Sequence, residues 1–192
     1  MRAVSKRWVL RGAGLVAIGV VALICYLGYL QYTGNFHTVV EGEVYRSAQM
    51  KGDQLSDYTA KVGLKSVLNL RGASPDADWY KAELADSARL GLVHADFALS
   101  ASREVTNDEA IKLIALMKML PKPLLIHCKQ GADRTGLLAA LYLASIKGVD
   151  VDTADDELSI AYGHFSVPYF SAAYPMDESW NRLEVDLKLA QN

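Results

Sequence analysis

Ten residues, His127 to Gly136, read "HCKQGADRTG" and hold the densest chemistry in the chain. Cys128 is the one thiol outside an N-terminal apolar run that contains Cys25. The apolar stretch "PLLIHC" before the loop reads as a short strand, and Arg134 to Lys147 as a helix ended by Gly148. Ligands of open α/β sheets bind beyond the carboxyl ends of strands. A loop there, Lys129 to Asp133, aims successive backbone N–H groups at one point. The helix behind it adds the positive end of its dipole, which together suits a phosphate-sized anion. The same field favours thiolate, the nucleophilic form, over thiol. Arg134 lies in the first helical turn, where its planar fork can hold two oxygens of a phosphoryl group. Gly131 allows a tight loop and Gly136 close packing. The Thr135 hydroxyl can donate to the Cys128 sulfur. His127 is expected to orient the loop from beneath rather than act as a base. A lone cysteine is more often inert packing; Arg134, Thr135 and two glycines in register argue against that here.

The elements that must position this loop are legible as alternating strands and helices. "TVVEGEVYRSAQ" alternates as a strand with a turn at Gly42, and Leu64–Leu70 is a short buried strand. Pro75–Leu90 reads as a helix with Pro at its start and Gly91 past its end. "LVHADFAL" is the next strand, and Thr106 with Glu109 forms a capping box for a helix through Leu120. Helices are also expected at Ser56–Val62, Thr153–Tyr162 and Asp177–Leu189. The pattern predicts an α/β fold with a central, mostly parallel sheet flanked by helices on both faces. Arg46 and Arg71 read as salt-bridge or capping residues, with the rim of a pocket as the alternative. The aromatic stretch Tyr162 to Tyr174 reads as core and loop packing, with a membrane-facing or substrate-lining role as the alternative.

Residues 12–30, "GAGLVAIGVVALICYLGYL", carry no charge. As a helix they span roughly 28 Å, close to the roughly 30 Å of a bilayer core. Arg2, Lys6, Arg7 and Arg11 precede the run, and the first acid is Glu41. The positive-inside rule then places the N-terminus in the cytoplasm and the rest outside it, periplasmic in a bacterium. A cleaved signal peptide is the rival, against which stand the length of the run and the lack of an A-x-A site. The expected organisation is 1–31 tip and transmembrane anchor, 32–38 linker, 39–192 catalytic domain. After residue 31 the chain has sixteen bases against 22 acids, a net of −6. That excludes a nucleic-acid partner. With one cysteine there is no disulfide framework.

"HCKQGADRTG" matches H-C-x5-R-[ST]-G and resembles the signature of the cysteine-dependent protein tyrosine and dual-specificity phosphatases. "VVEGEVYRSAQ" (39–49) and "GLKSVLNLR" (63–71) resemble the opening strands of the compact dual-specificity-like members. The resemblance spans about residues 40 to 180. It implies a phosphocysteine intermediate on Cys128, a phosphate held by Lys129, Gln130, Gly131, Ala132, Asp133 and Arg134, and no metal or other cofactor. Many members supply an acid from a separate loop; here only Asp96 or Glu104 could fill that role. Asp133 resembles instead the loop aspartate of myotubularin- and Sac-type phosphoinositide phosphatases, and is the leading candidate for proton donor; the alternative is a structural partner. The expected substrate is a phosphoprotein or a phospholipid headgroup. A non-catalytic phosphate-binding module remains the third reading, which an intact Cys128 with Arg134 disfavours.

Overall fold

The computed structural model describes residues 6–51 and 53–189, so Arg2 of the basic flank and residues 190–192 of the expected catalytic domain lie outside it. Five short strands form one sheet in the order β1-β2-β5-β3-β4. They are β1 (His37–Val40), β2 (Val44–Ser47), β3 (Ser66–Asn69), β4 (Val93–Asp96) and β5 (Leu124–His127). β1 and β2 are an antiparallel hairpin that turns at Gly42, and the other neighbours are parallel. β5 is central, so its carboxyl end, where Cys128 follows, faces the middle of the sheet's ligand-binding edge.

Alternate side chains of the strands enter two cores. Val44, Leu68, Leu124 and Ile126 pack with α4 (Asn107–Met119), α5 (Asp133–Tyr142) and α7 (Tyr174–Asp186). Tyr45, Val67 and Leu125 pack with Leu55 of α2 (Gln54–Val62) and with Leu64 and Leu92, which flank β3 and β4. α3 (Asp78–Leu90) meets α2 and β4 on this side. Both faces are covered, and central β5 accordingly reads as an apolar run rather than an alternation. β2, β3 and β5 are buried throughout. α4 opens with the expected capping box between Thr106 and Glu109.

Two expectations change. The helix expected at Thr153–Tyr162 is a short α6 (Val151–Asp155) followed by turns and a single 3-10 turn at Ile160–Tyr162. The acids there favour a helix start, and Asp150 caps it by accepting from the Thr153 N–H. Gly136 then requires close passage of the chain, because a Cβ on it would lie 2.6 Å from the Glu157 carbonyl oxygen. The aromatic stretch is a loop, but its large side chains face outward: Phe165, Tyr169 and Phe170 are 64%, 87% and 91% exposed.

The N-terminal helix α1 (Lys6–Tyr32) is long and apolar enough to cross a membrane. Its last turns lie on the sheet's ligand-binding edge. Leu30 and Asn35 are buried, the Tyr26 hydroxyl donates to the Ala161 carbonyl at 2.6 Å, and Phe36 stacks on Tyr58 at 3.8 Å. The stretch expected as a linker, 32–38, is thus packed and already enters β1.

Candidate active site

β5 ends at His127 and α5 begins at Asp133, so Cys128–Ala132 bridge the central strand and a helix N-terminus. Cys128 is buried, and its Sγ accepts the Gly131 N–H at 3.3 Å. Gly131 has φ +73, and a Cβ there would lie 2.5 Å from Ser47 C and Ala48 N of the neighbouring strand end. No other residue fits this position without moving backbone. Arg134 is half-buried; its Nη1 donates to the carbonyls of Leu70 (3.2 Å) and Leu99 (3.0 Å). Its Nε is buried with no protein partner. The Arg134 guanidinium is thus anchored beside the loop through Nη1, with Nε enclosed by protein. Lys129 and Gln130 are exposed on the outer turn of the loop. Thr135 Oγ1 is buried and unpartnered, so the bond expected from it to the Cys128 sulfur is not made in this structure; the Gly131 N–H takes that place.

The loop is held by residues far away in sequence. Arg46 of β2 is fully buried. It pairs with the Glu157 carboxylate and donates to the carbonyls of Glu157 (2.8 Å), Gly131 (2.9 Å) and Ala132 (3.3 Å). Its guanidinium also lies 3.9 Å from the Tyr162 ring centre. Burial draws Arg46 below its ordinary pKa and pushes the Glu157 carboxyl up, against their mutual attraction. Beneath the loop, buried His127 places Nε2 3.2 Å from Glu83 Oε1, and Glu83 also meets His94 Nε2 at 2.8 Å and the Gln49 amide. Burial alone would raise Glu83, but the hydrogen bonds from His127 and His94 outweigh it and hold the carboxyl well below the usual range. From α1, Gln31 Nε2 donates to the Gln130 carbonyl at 3.1 Å; Asn35 Nδ2 donates to the same carbonyl at 2.9 Å and to that of Tyr162 at 2.8 Å.

The three candidate acids part company. Asp133 stays at the loop, its Oδ1 2.8 Å from His164 Nδ1; His164 Nε2 is 3.1 Å from Asp177 of α7. Burial of His164 lowers its pKa, but the hydrogen bond to Asp133 and the charges of Asp177 and Asp133 outweigh that, so the net shift is upward. Asp96 ends β4 and is spent on the Asn69 amide (2.7 Å) and the Tyr80 hydroxyl (2.5 Å), which pushes that phenol up to about 12. Glu104 is exposed and paired with Arg182 Nε at 3.0 Å. All three are engaged in side-chain contacts, and of them Asp133 alone adjoins the Cys128 loop, at the first residue of α5.

A cleft of about 520 Å³ opens beside Lys129 and Gln130. Trp79, Met50 and Leu55 give it an apolar side, and Lys51, Arg71 and Gln31 line it as well. The Arg71 guanidinium stacks 3.3 Å from the Trp79 ring centre and donates to Gln49 Oε1 at 2.8 Å. Arg71 thus takes the rim role that was the second reading, while Arg46 is the salt-bridge residue. Glu83, Glu157 and His164 were not singled out by sequence reasoning. Each is one ordinary residue far from the motif, and only the fold brings it there.

A cysteine at the end of a central parallel strand, followed by a tight loop and a helix N-terminus carrying Arg134, is the arrangement of a cysteine-based phosphatase site. The model of the tyrosine phosphatase family matches residues 27–159, and the chain belongs to that family. No curated protein matches the sequence. Among solved structures the fold is similar to TpbA of P. aeruginosa in complex with pTyr, at 22% identity and TM-score 0.59, covering 83% of this chain and 92% of that one. It is similar to the core catalytic domain of the PP-IP phosphatase SIW14 of S. cerevisiae, at 21% identity and TM-score 0.55, over 81% and 93%. PTPMT1 in complex with PI(5)P matches at 13% identity and TM-score 0.52, over 79% and 98%.

Proposed function

We propose that the chain hydrolyses protein phosphotyrosine at a membrane surface by a phosphocysteine mechanism, anchored through α1. The observation that carries the chemistry is Cys128 Sγ held by a loop amide at the N-terminus of α5, with Arg134 in the first turn of that helix. In the first step the Cys128 sulfur forms a bond to phosphorus as the P–O bond to the leaving group breaks. The electron pair stays on the leaving oxygen, which takes a proton from Asp133. In the second step water attacks phosphorus, the P–S bond breaks and the thiolate is released. Asp133 takes the proton from water, leaving phosphate and the unmodified enzyme. Loop amides and the Arg134 guanidinium stabilise the phosphoryl oxygens throughout.

The apolar side of the cleft, with Trp79, Met50 and Leu55, suits an aryl phosphate, and a TpbA structure holding pTyr agrees with that reading. A second reading, a phospholipid headgroup, is favoured by Gln31 of α1 at the cleft, because an anchored α1 would bring the site close to lipid. Phosphate release from a panel of phosphopeptides and phospholipid vesicles decides between them. The proposal expects turnover of phosphotyrosyl peptides above that of lipids; the reverse order overturns it in favour of the second reading. A Cys128→Ser protein that retains turnover sinks both. The orientation, catalytic part outside the cytoplasm, is tested by a reporter fused after residue 35, which should be active only outside.

A further inference from the structure

We infer that the loop from Gly163 to Pro175 is a second membrane contact, whose exposed aromatic side chains enter the lipid interface beside α1. The inference rests on α1 being the anchor. Four observations carry it.

The first is exposure. Ile160, Phe165, Val167, Tyr169 and Phe170 all face solvent, the last two almost completely. Clustered apolar exposure of this kind marks an interaction site rather than ordinary surface. The second is composition. The loop reads "GHFSVPYFSAAYP" and has no Lys, Arg, Asp or Glu; its one titratable ring nitrogen pair, His164, is buried and bonded inward. A surface for an acidic or basic protein partner would carry charge. Aromatic residues with few charges are the composition of membrane–water belts.

The third is continuity. The Tyr26 hydroxyl of α1 donates to Ala161 at the root of the loop. A Cβ on Gly163 would lie 3.5 Å from Leu30 and 3.7 Å from Leu27. The loop therefore leaves the catalytic body against the flank of the apolar helix. The fourth is level. The apolar span begins at Leu10. From Leu10 to Tyr26 a helix rises about 25 Å, most of the roughly 30 Å of hydrocarbon in a bilayer. Measured the same way, the headgroup layer falls near Leu30 to Tyr32, so Ala161, bonded to Tyr26, roots the loop about one helical turn on the lipid side of it. A loop rooted at that height meets lipid headgroups, and the Tyr and Phe side chains have the amphipathic shape that layer accepts. Two contacts, a helix and a loop, fix orientation as one cannot. The shallow cleft lined by Asp133, Gln130, Gly163 and Phe165 borders the loop.

The test uses the full chain in phosphatidylethanolamine/phosphatidylglycerol vesicles, with Cys25 and Cys128 replaced by Ser. A nitroxide is placed in turn at Val16→Cys in α1, Phe170→Cys in the loop and Lys118→Cys at the opposite end of the sheet. Collision rates with oxygen, which concentrates in lipid, and with a water-soluble nickel chelate are read by spin resonance. The expected result is an oxygen-to-nickel ratio at Phe170 several-fold above that at Lys118 and approaching that at Val16. If Phe170 matches Lys118 while Val16 reads lipid, the loop inference falls and the anchor stands. If Val16 itself reads water, the anchor reading falls and takes the inference with it. If the Phe170 label is shielded from both reagents and broadened at high protein density, a second copy covers the loop, and the lipid assignment is overturned.

Discussion

Replacing Arg46 by Met tests whether the phosphate loop is held from beneath the sheet edge. The change leaves the Glu157 carboxylate buried without its partner and removes the donor to the Gly131 and Ala132 carbonyls. Breaking a buried ion pair from one side costs about 3–5 kcal/mol. At roughly 2–4 °C per kcal/mol for a chain of this size, the thermal midpoint should fall by about 10 °C. Burial already pushes Glu157 up. A carboxyl whose folded pKa is raised destabilises more as pH rises through its unfolded value, so the Arg46→Met midpoint should recover in part on acidification. The double variant Arg46→Met/Glu157→Met removes both charges, an exchange that is often neutral or stabilising. Its midpoint should return to within a few degrees of the parent. Activity should not return with it, because the loop no longer has the Arg46 donor that fixes its Gly131 and Ala132 carbonyls and with them the position of Cys128. A misplacement of about 1 Å can cost about 100-fold, so kcat/KM on p-nitrophenyl phosphate should stay roughly 10- to 100-fold low. Circular dichroism melts in lipid nanodiscs and initial rates on the same samples supply both numbers. A single variant that loses under about 1 kcal/mol, or a double variant with parental kcat/KM, would refute the reasoning.

Three further outcomes are expected. Asp133→Asn should slow turnover of alkyl and peptide phosphates by roughly 100-fold while sparing activated aryl phosphates, and Asp96→Asn and Glu104→Gln should not show that split; leaving-group plots check it. His164 faces Asp133, Asp177 and Asp155 and has a raised pKa, so its contribution to stability is full below its unfolded value of about 6.5 and is lost as pH climbs through the folded value. His164→Gln should flatten the melting midpoint against pH above that point, and an unchanged profile would remove His164 from the account. Gly131→Ala meets backbone 2.5 Å away at a left-handed φ. Its kcat should fall at least tenfold, by rates on p-nitrophenyl phosphate, with a loss of about 2 kcal/mol or more in stability.

The parts of the fold that came through in the sequence are those encoded locally. The strand before Cys128 and the helix after it show in the switch from an apolar run to a loop with Gly131 and a first turn with Arg134. The capping box of α4 shows in Thr106 and Glu109. β2 shows in the alternation of Thr38–Gln49, and β3 in the short stretch Leu64–Leu70. What stayed hidden is what depends on residues meeting across long separations. Glu83 lies on a helix whose sequence looks solvent-facing, yet it becomes the acceptor for His127 and His94. Arg46 and Glu157 are 111 residues apart. The break in the helix expected over Thr153–Tyr162 follows from tertiary contact, since Glu157 must turn inward to meet Arg46. The aromatic loop misled in the other direction. Apolar residues suggested a core, but no strand or helix periodicity gave them a face to bury.

The attachment of α1 bears on where this enzyme can be cut. The Gln130 carbonyl takes two donors, one from Gln31 inside the helix and one from Asn35 just beyond it. Leu30 is 3% exposed against the catalytic body, and the family match begins at residue 27. A soluble version trimmed at Tyr32 would discard one of those donors and uncover an apolar seat at Gly163. The smallest self-sufficient unit begins near Tyr26, among residues that would ordinarily be assigned to the bilayer. The helix long and apolar enough to cross a membrane and the catalytic body share about two turns, and a protein expressed without them is expected to be a poorer catalyst than the full chain.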